Sequence, residues 1–572
     1  MTALPPSLAQ GHPSPEDRSA GAEAAVGDQI VALLEAAGVE TAFGVISIHN
    51  MPILDAIGRR GRIRFVTARG EAGAVNMADA AARVSGRLSV AVTSTGTGAG
   101  NGCGALIEAL TAGTPMIHLT GQIDSAYLDR GWGFIHEAAD QPATLASVSK
   151  AFFRIARPED AAAVMRDAIR TALAAPAGPV SVEIPIDVQK ARVRAAVQAP
   201  VQVPAPPVPD ADAVGRLAAR LRGSRRPLLW VGGGARMAGT AVRRLADLGI
   251  GVVSSVLGRG VLPEDHPLSL AAFTVAPPVL DLYGRADLMV VVGSHLRSNE
   301  TRTYGIRLPS PLVRVDVDPR ADGRGFAGDD FLLGDAGLVL DALADAVATD
   351  YRPDPAWRDA VVAARAAAEA DLVRQMGPYA GLRDAIARAM PADARWVRDI
   401  TLSNSIWGNR SPAMRSPRQA VHAAGGGIGQ GLPHAIGAAI GSGCKTVAIV
   451  GDGALSLCLG ELGTLAEEEA DVALFVMNDG GYGVIRNIQD AAYGARRMYT
   501  DLRNPSFGTI AAAYGLPYLK VSSPAAFDEV AGEAIGRRGP VMVEVDMAAI
   551  GGFGIKFAGP PVEKLPAGKS KG

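Results

Sequence analysis

From Asp28 onward the chain alternates two hydrophobic patterns. Short, almost wholly apolar runs (TAFGV, IRFVTA, LSVAVTS, PMIHLTG) are separated by stretches such as DQIVALLEAAGVE, where apolar residues recur at helical spacing. Strand-length buried runs joined by helices predict a doubly wound parallel sheet, since parallel strands need crossover helices and become covered on both faces. The alternation closes near Ile184-Pro185, and VQAPVQVPAPPVPDAD follows as a semi-rigid, Pro-rich linker. It restarts with RPLLWVGGG, GVVSS, LMVVVGS and LVRVDVDP. After the Ala-rich helical stretch AWRDAVVAARAAAEADLVRQM it restarts again with TVAIVGDG, VALFVMNDGG and GPVMVEVDM. The expected fold class is α/β, with three doubly wound parallel-sheet domains. The expected boundaries are a disordered tail over 1–23, a first domain over 24–190, a linker over 191–207, a central domain over 208–348, a helical connector over 349–377, a third domain over 378–550 and a tail over 551–572.

Composition narrows the function. A chain of 572 residues exceeds what one core can hold, and abundant glycine with few aromatics suits helices packed closely on parallel strands. A net charge of −2 gives no reason to expect a nucleic-acid or anionic-membrane partner, since a balanced surface attracts neither. Cys103, Cys444 and Cys458 are isolated, which argues against a disulfide framework and a thiolate metal site. No apolar run reaches spanning length, and the first 20 residues lack the pattern of a secretory signal. A cytoplasmic enzyme acting on small molecules is the expectation, with no nucleic-acid or membrane partner.

Two glycine-rich stretches fail as phosphate loops. VGGGARMAG has Met237 where a dinucleotide fingerprint requires glycine, and GSGCKT has Cys444 where a Walker loop requires one. The third domain offers a better site. Asp452 follows the apolar run TVAIV, flanked by Gly451 and Gly453, which permit a sharp turn at the carboxyl edge of a sheet, where ligands of such sheets bind. The segment ALSLCLGELGTLAEE then has helical spacing, so its amino end would face an anion. The next run, VALFVM, delivers Asn478-Asp479-Gly480-Gly481 to the same edge. Two carboxylates at adjacent strand ends beside a helix start suit Mg²⁺ bridging to a diphosphate.

This Gly-Asp-Gly to Asn-Asp pairing resembles the thiamine diphosphate motif of acetolactate synthases, pyruvate and benzoylformate decarboxylases and benzaldehyde lyase. The resemblance implies thiamine diphosphate and Mg²⁺, with metal ligands Asp452, Asp479 and the carbonyl of Gly481, and with Gly451, Gly453, Ala454, Tyr482 and Gly483 around the cofactor. Asp479 stands where much of the family has Asn, and Ala454 where Ser is common. The family also implies a carboxylate for the aminopyrimidine, supplied by the first domain. Glu71 in TARGEAGAVNMADAAARV matches its His-Glu-x-x-Ala pattern, with Gly70 in place of His, and TSTGTGAGN resembles the turn that follows. In AAGGGIGQGLPHAIG, Ile428 aligns with the apolar wedge that bends the cofactor and the Gly426 carbonyl with the partner of its exocyclic amine. GRGVLPEDHPLS and VRVDVDP resemble segments of the family's central domain, which in some members keeps FAD as a structural relic. Family members pair the first domain of one subunit with the third of another, implying a homodimer or homotetramer.

His49 lies where benzaldehyde lyase has a histidine, Gln122 ends a strand near the family's cofactor, and His136-Glu137 replaces the Gln-Glu of acetolactate synthases. His49 and Gln122 join Glu71 as candidate catalytic residues. Ile46-Ser47 in place of Pro-Gly, Ile488 in place of a selective Trp, and RSNETRTYG in place of an Asp-Asp-Arg motif weaken a match to acetohydroxyacid synthase itself. The expected reaction is thiamine-dependent C–C bond cleavage or formation beside a carbonyl, first as decarboxylation of a 2-oxo acid with carboligation to an aldehyde. Cleavage of an acyloin or diketone without decarboxylation, and cofactor binding without turnover, are the alternatives.

Overall fold

The computed structural model describes residues 23–194, 201–557 and 559. The expected tails at 1–22 and 560–572, and the linker core at 195–200, lie outside the described residues. Three fully parallel sheets form the frame. The first has six strands in the spatial order Arg64–Thr67, Thr41–Gly44, Ser89–Thr93, Met116–Gln122, Pro179–Pro185, Ala151–Arg154. The third repeats this order strand for strand as Ala420–His422, Arg395–Arg398, Thr446–Gly451, Val472–Asn478, Val541–Asp546, Tyr518–Val521. The central sheet begins the same way, with Gly251–Ser254, Pro227–Val231, Leu288–Val292, Leu312–Asp316 and Asp330–Leu333. Each sheet therefore has a switch point beside its first strand, where crossovers leave in opposite directions and open a crevice.

The cores show how the domains join. One face of the first sheet (Val90, Val92, Ile117, Leu119) packs under the helix Val26–Ala36. Its other face shares a core with the third domain, where Ala91 and Met116 belong with Val397, Ala448 and Leu474. The opposite face of the third sheet (Trp396, Ile449, Phe475) packs with Trp230 and Leu228 of the central domain and with the connector helix Pro355–Met376. The third domain is thus held on both faces.

At the first junction the helices Glu71–Ser85 and Gly431–Ser442 meet through alanines and glycines. A Cβ on Gly437 would lie 2.1 Å from the Met77 carbonyl oxygen, and one on Gly441 2.6 Å from Ala81 Cα. The backbones are in contact, so neither glycine leaves room for a side chain. Two buried carboxylates bridge the same junction. Glu461 of the third domain accepts the amides of Arg69 (3.1 Å) and Gly70 (3.1 Å), and Glu108 of the first accepts those of Gly425 and Gly427 (2.9 Å).

Two expectations are corrected. The helix expected after Asp452 is two pieces, Asp452–Ser456 and Glu461–Glu467. The break lets Glu461 turn to the first domain and fill the space beside Gly73, whose Cβ would lie 2.0 Å from Glu461 Oε1. The tail expected from 551 begins as packed structure, because Phe553 lies 4.5 Å from the Tyr379 ring and the Tyr379 hydroxyl donates to the Gly551 carbonyl. Apolar side chains at 553 and 557 supply the reason, since both pack on the core beneath. Arg192–Arg194, placed in the linker, pairs antiparallel with Glu23–Ala25, of which only Glu23 was placed ahead of the first domain.

Gly437→Ala forces the helix pair apart. It is expected to lower stability by about 1–3 kcal/mol, read as a shifted midpoint in chemical denaturation.

Candidate active site

The register of the third sheet sets Gly451 beside Met477, so Asp452 and Asp479 leave neighbouring strands at the same edge. Together with Ile400–Ser403 after the first strand they line a cavity of about 240 Å³. Gly426, Ile428, Gly451, Asp452, Gly453, Ala454, Asp479, Gly481, Tyr482 and Gly483 all line it.

The electrostatics call for a cation. Asp452 is fully buried; Asn504 Nδ2 donates to its Oδ2 at 2.6 Å, while Oδ1 has no partner. Burial raises its pKa. Burial, and then the charge of Asp452, push Asp479 up to about 7. Two carboxylates in contact cannot both ionise cheaply unless a positive charge joins them. Among the described residues no group of three or more His, Cys, Asp or Glu side chains is placed to hold a metal. Asp452 and Asp479 line the cavity with the Gly481 backbone, oxygen donors of the kind a hard cation such as Mg²⁺ accepts. Asn478 does not line the cavity; its Nδ2 donates to Glu544 Oε1 at 2.9 Å and its Oδ1 accepts the Gly480 amide at 3.2 Å.

The glycines around the pair have steric reasons. A Cβ on Gly483 would lie 1.8 Å from Asp479 Oδ2, and one on Gly481 2.0 Å from the Thr500 carbonyl oxygen. Tyr482 N donates to that same Thr500 oxygen at 2.8 Å, fixing the turn. Arg486 donates to the Asp479 carbonyl at 3.2 and 3.3 Å. Across the cavity Gly426 has φ +94°, a conformation glycine permits, and Ile428 is 40% exposed at the cavity wall, unusual for an isoleucine unless something covers it.

Glu71, His49 and Gln122 do not line this cavity, whose walls all lie between Ile400 and Met547. They gather at the corresponding edge of the first sheet. Glu71 opens its helix and accepts from Asn101 Nδ2 at 3.2 Å. His49 is buried with its ring edge-on to His136 at 5.2 Å; burial, then the His136 charge, lower its pKa. His136 has φ +69°, a strained value for a non-glycine residue. Gln122 accepts from Thr95 Oγ1 at 2.8 Å and donates to Glu183 Oε2 at 3.1 Å, so its amide is occupied within the protein. Glu137 Oε2 accepts the amides of Gly133 and Phe134 and shapes the loop bearing His136.

Sequence reasoning missed Asn504, Asp399, Glu108, Met547 and Ile485. Asp399 was detectable as an acid at a strand end; its carboxylate accepts from the amides of Gln430 (2.9 Å) and Gly431 (2.7 Å). Val484 and Ile485 line the cavity, whereas Ile488 faces Gly559.

Comparison with known proteins agrees with this arrangement. Residues 24–144 match the N-terminal TPP-binding domain of thiamine pyrophosphate enzymes, 214–343 their central domain and 402–545 their C-terminal TPP-binding domain. The chain is 33% identical to a probable 2-ketoarginine decarboxylase, AruI, of Pseudomonas aeruginosa, over 91% of this chain and 93% of that protein. It is 27% identical to the acetolactate synthase isozyme 1 large subunit of Escherichia coli (91% and 93% covered) and to a probable acetolactate synthase large subunit of Methanocaldococcus jannaschii (92% and 91%). Matched over its N-terminal, central and C-terminal domains, the chain belongs to the thiamine pyrophosphate enzymes.

Proposed function

We propose that this enzyme decarboxylates a 2-oxo acid and can join the remaining fragment to an aldehyde. The carrying observation is the carboxylate pair of buried Asp452, with its orphaned oxygen, and half-buried Asp479, in one cavity with Gly426 and Ile428. Asp452, Asp479 and the Gly481 carbonyl would hold Mg²⁺ and through it a diphosphate. The Gly426 carbonyl would accept from the exocyclic amine of the cofactor, and Ile428 would set its bend. Bound, thiamine diphosphate supplies a nucleophilic carbon that adds to a carbonyl and takes up the electron pair of the broken C–C bond. Glu71 would hold a proton at the pyrimidine nitrogen, and His49 beside His136 would exchange protons with the substrate oxygen, its lowered pKa keeping it neutral near pH 7. Gln122, with its amide occupied, would position the Glu183 network instead of touching substrate.

The separation of Glu71 from the Asp452 cavity supports a homodimer or homotetramer in which each cavity is completed by another copy. Ile46, Ile48, Trp132 and Ile135, exposed around His49, would be covered there. Cys103, Cys444 and Cys458 are free thiols, which suits the cytoplasm. Among the described residues no helix is long and apolar enough to cross a membrane. The turn at Gly232 and Gly234 packs backbone to backbone on Gly293, a use that needs no flavin, so no step is assigned to FAD; visible absorbance of the pure protein would reveal one.

The substrate class follows the 33% identical relative: 2-oxo acids with an extended side chain, 2-ketoarginine included, ahead of pyruvate. Incubation with thiamine diphosphate, Mg²⁺ and a 2-oxo acid panel, with and without aldehydes, is expected to release carbon dioxide and give aldehyde or acyloin by mass spectrometry. Glu71→Gln should lower turnover by about a hundredfold or more. Acyloin cleavage with no carbon dioxide from any 2-oxo acid would replace the proposal with the lyase reading.

Asp479→Ala is expected to raise the Mg²⁺ concentration for half-maximal activity beyond the roughly tenfold cost of losing an outer-shell partner, with Asp479→Asn retaining most of the affinity. Finally, Glu71→Gln and Asp452→Asn chains, each inactive alone, should regain activity when co-expressed, because mixed dimers contain one intact site. No recovery despite mixed-dimer formation would place both residues in one chain's site.

A further inference from the structure

The loop that carries Gly426 and Ile428 is held by one residue from each domain. Arg297 of the central domain donates to the Ala424 carbonyl, Asp399 of the third accepts the amides of Gln430 and Gly431, and Glu108 of the first accepts those of Gly425 and Gly427. Glu108 sits on the helix Thr97–Ala112, only 3% exposed, and no cation pairs with it among the described residues; the two loop amides satisfy its carboxylate. Its approach explains the glycine triplet. A Cβ on Gly425 would lie 2.7 Å from Glu108 Oε1 and one on Gly427 3.1 Å from it, while Gly426 between them needs its positive φ. Two flanking amides pinned on one carboxylate fix the plane of the Gly426 peptide, hence the direction of its carbonyl.

We propose that Glu108 is a positioning residue for the pyrimidine half of the cofactor, acting across the domain junction through the Gly425–Gly427 backbone. This rests on the thiamine diphosphate reading of the cavity. It distinguishes two ends of that cavity. No first-domain residue lines the Asp452 and Asp479 end, whereas the Gly426 end is hydrogen-bonded to Glu108 of that domain. Losing a charged acceptor for two buried amides is a large perturbation for one loop, yet Glu108 makes no contact with the carboxylate pair.

The test uses the full-length protein and three probes: thiamine diphosphate with Mg²⁺, inorganic diphosphate with Mg²⁺, and amide hydrogen exchange of the ligand-free chain. Glu108→Gln is expected to weaken thiamine diphosphate by about ten- to a hundredfold in calorimetric titration. It should leave Mg²⁺-diphosphate binding unchanged, and raise exchange in peptides spanning 423–431 without a general loss of protection. Glu108→Asp should recover part of the affinity, which separates positioning from bulk packing; should Glu108→Ala fail to fold, these two variants carry the test. Equal loss of both ligands, or wild-type affinity with wild-type exchange, overturns the proposal. If the unmodified protein binds inorganic diphosphate but not thiamine diphosphate, the cofactor reading fails instead, and the exchange result still decides whether Glu108 holds the loop.

Discussion

Backbone contact between the helices Glu71–Ser85 and Gly431–Ser442 is the constraint on which the rest depends. With Gly437 against the Met77 carbonyl and Gly441 against Ala81, the first and third sheets approach closely enough to share one core. That closeness makes the crossing hydrogen bonds possible: Glu461 reaches the amides ahead of the Glu71 helix, and Glu108 reaches the loop ahead of the Gly431 helix. A side chain at Gly437 would clash with the Met77 carbonyl and press apart the two helices between which both carboxylates reach. The elements that present Glu71 and Gly426 are therefore placed by the same seam.

The site's chemistry comes from deliberate electrostatic discomfort. Burial raises the pKa of Asp452, and Asp479 is raised further by its neighbour, so the apo pair resists double ionisation. In the proposed holoenzyme a cation between them would relieve both, at a sheet edge whose glycines leave no side chains in the way. In the first domain the strain is of another kind, with His136 in a left-handed conformation and its carbonyl oxygen 2.1 Å from where a Gly96 Cβ would stand. The two groups use different strands of the repeated order: Glu71 follows the outermost strand of the first sheet, whereas Asp452 and Asp479 follow the third and fourth strands of the third sheet.

Central strands and the acids that follow them were legible in the sequence because burial on both faces forces unbroken apolar runs, as in TVAIV and VALFVM. Three of the edge strands were not: AFFR, YLKV and AVH are short and mix polar with apolar positions, since one of their edges needs no covering. Asp452 and Asp479 could be found from local spacing; Glu108 and Glu461 could not. Each looks like an ordinary helix acid, and its partner is a backbone amide more than 300 residues away in the chain. The broken helix after Asp452 has the same origin, because its break serves Glu461's contact with the first domain, not any local signal. Nor does the sequence reveal that Gln122's amide is already engaged by Thr95 and Glu183.

The two junction carboxylates also answer a question of register. A seam of alanine and glycine is smooth, and dispersion alone would tolerate a helix sliding along its partner. Burying charge there is costly, as the raised pKa of Glu461 shows. Each carboxylate, however, meets a pair of backbone amides at one position only, and leaving them unpaired would cost more than any sliding could recover. Glu461 fixes the start of the Glu71 helix and Glu108 fixes the loop before the Gly431 helix. The register is therefore set from both ends, at the start of the Glu71 helix and at the loop that carries Gly426.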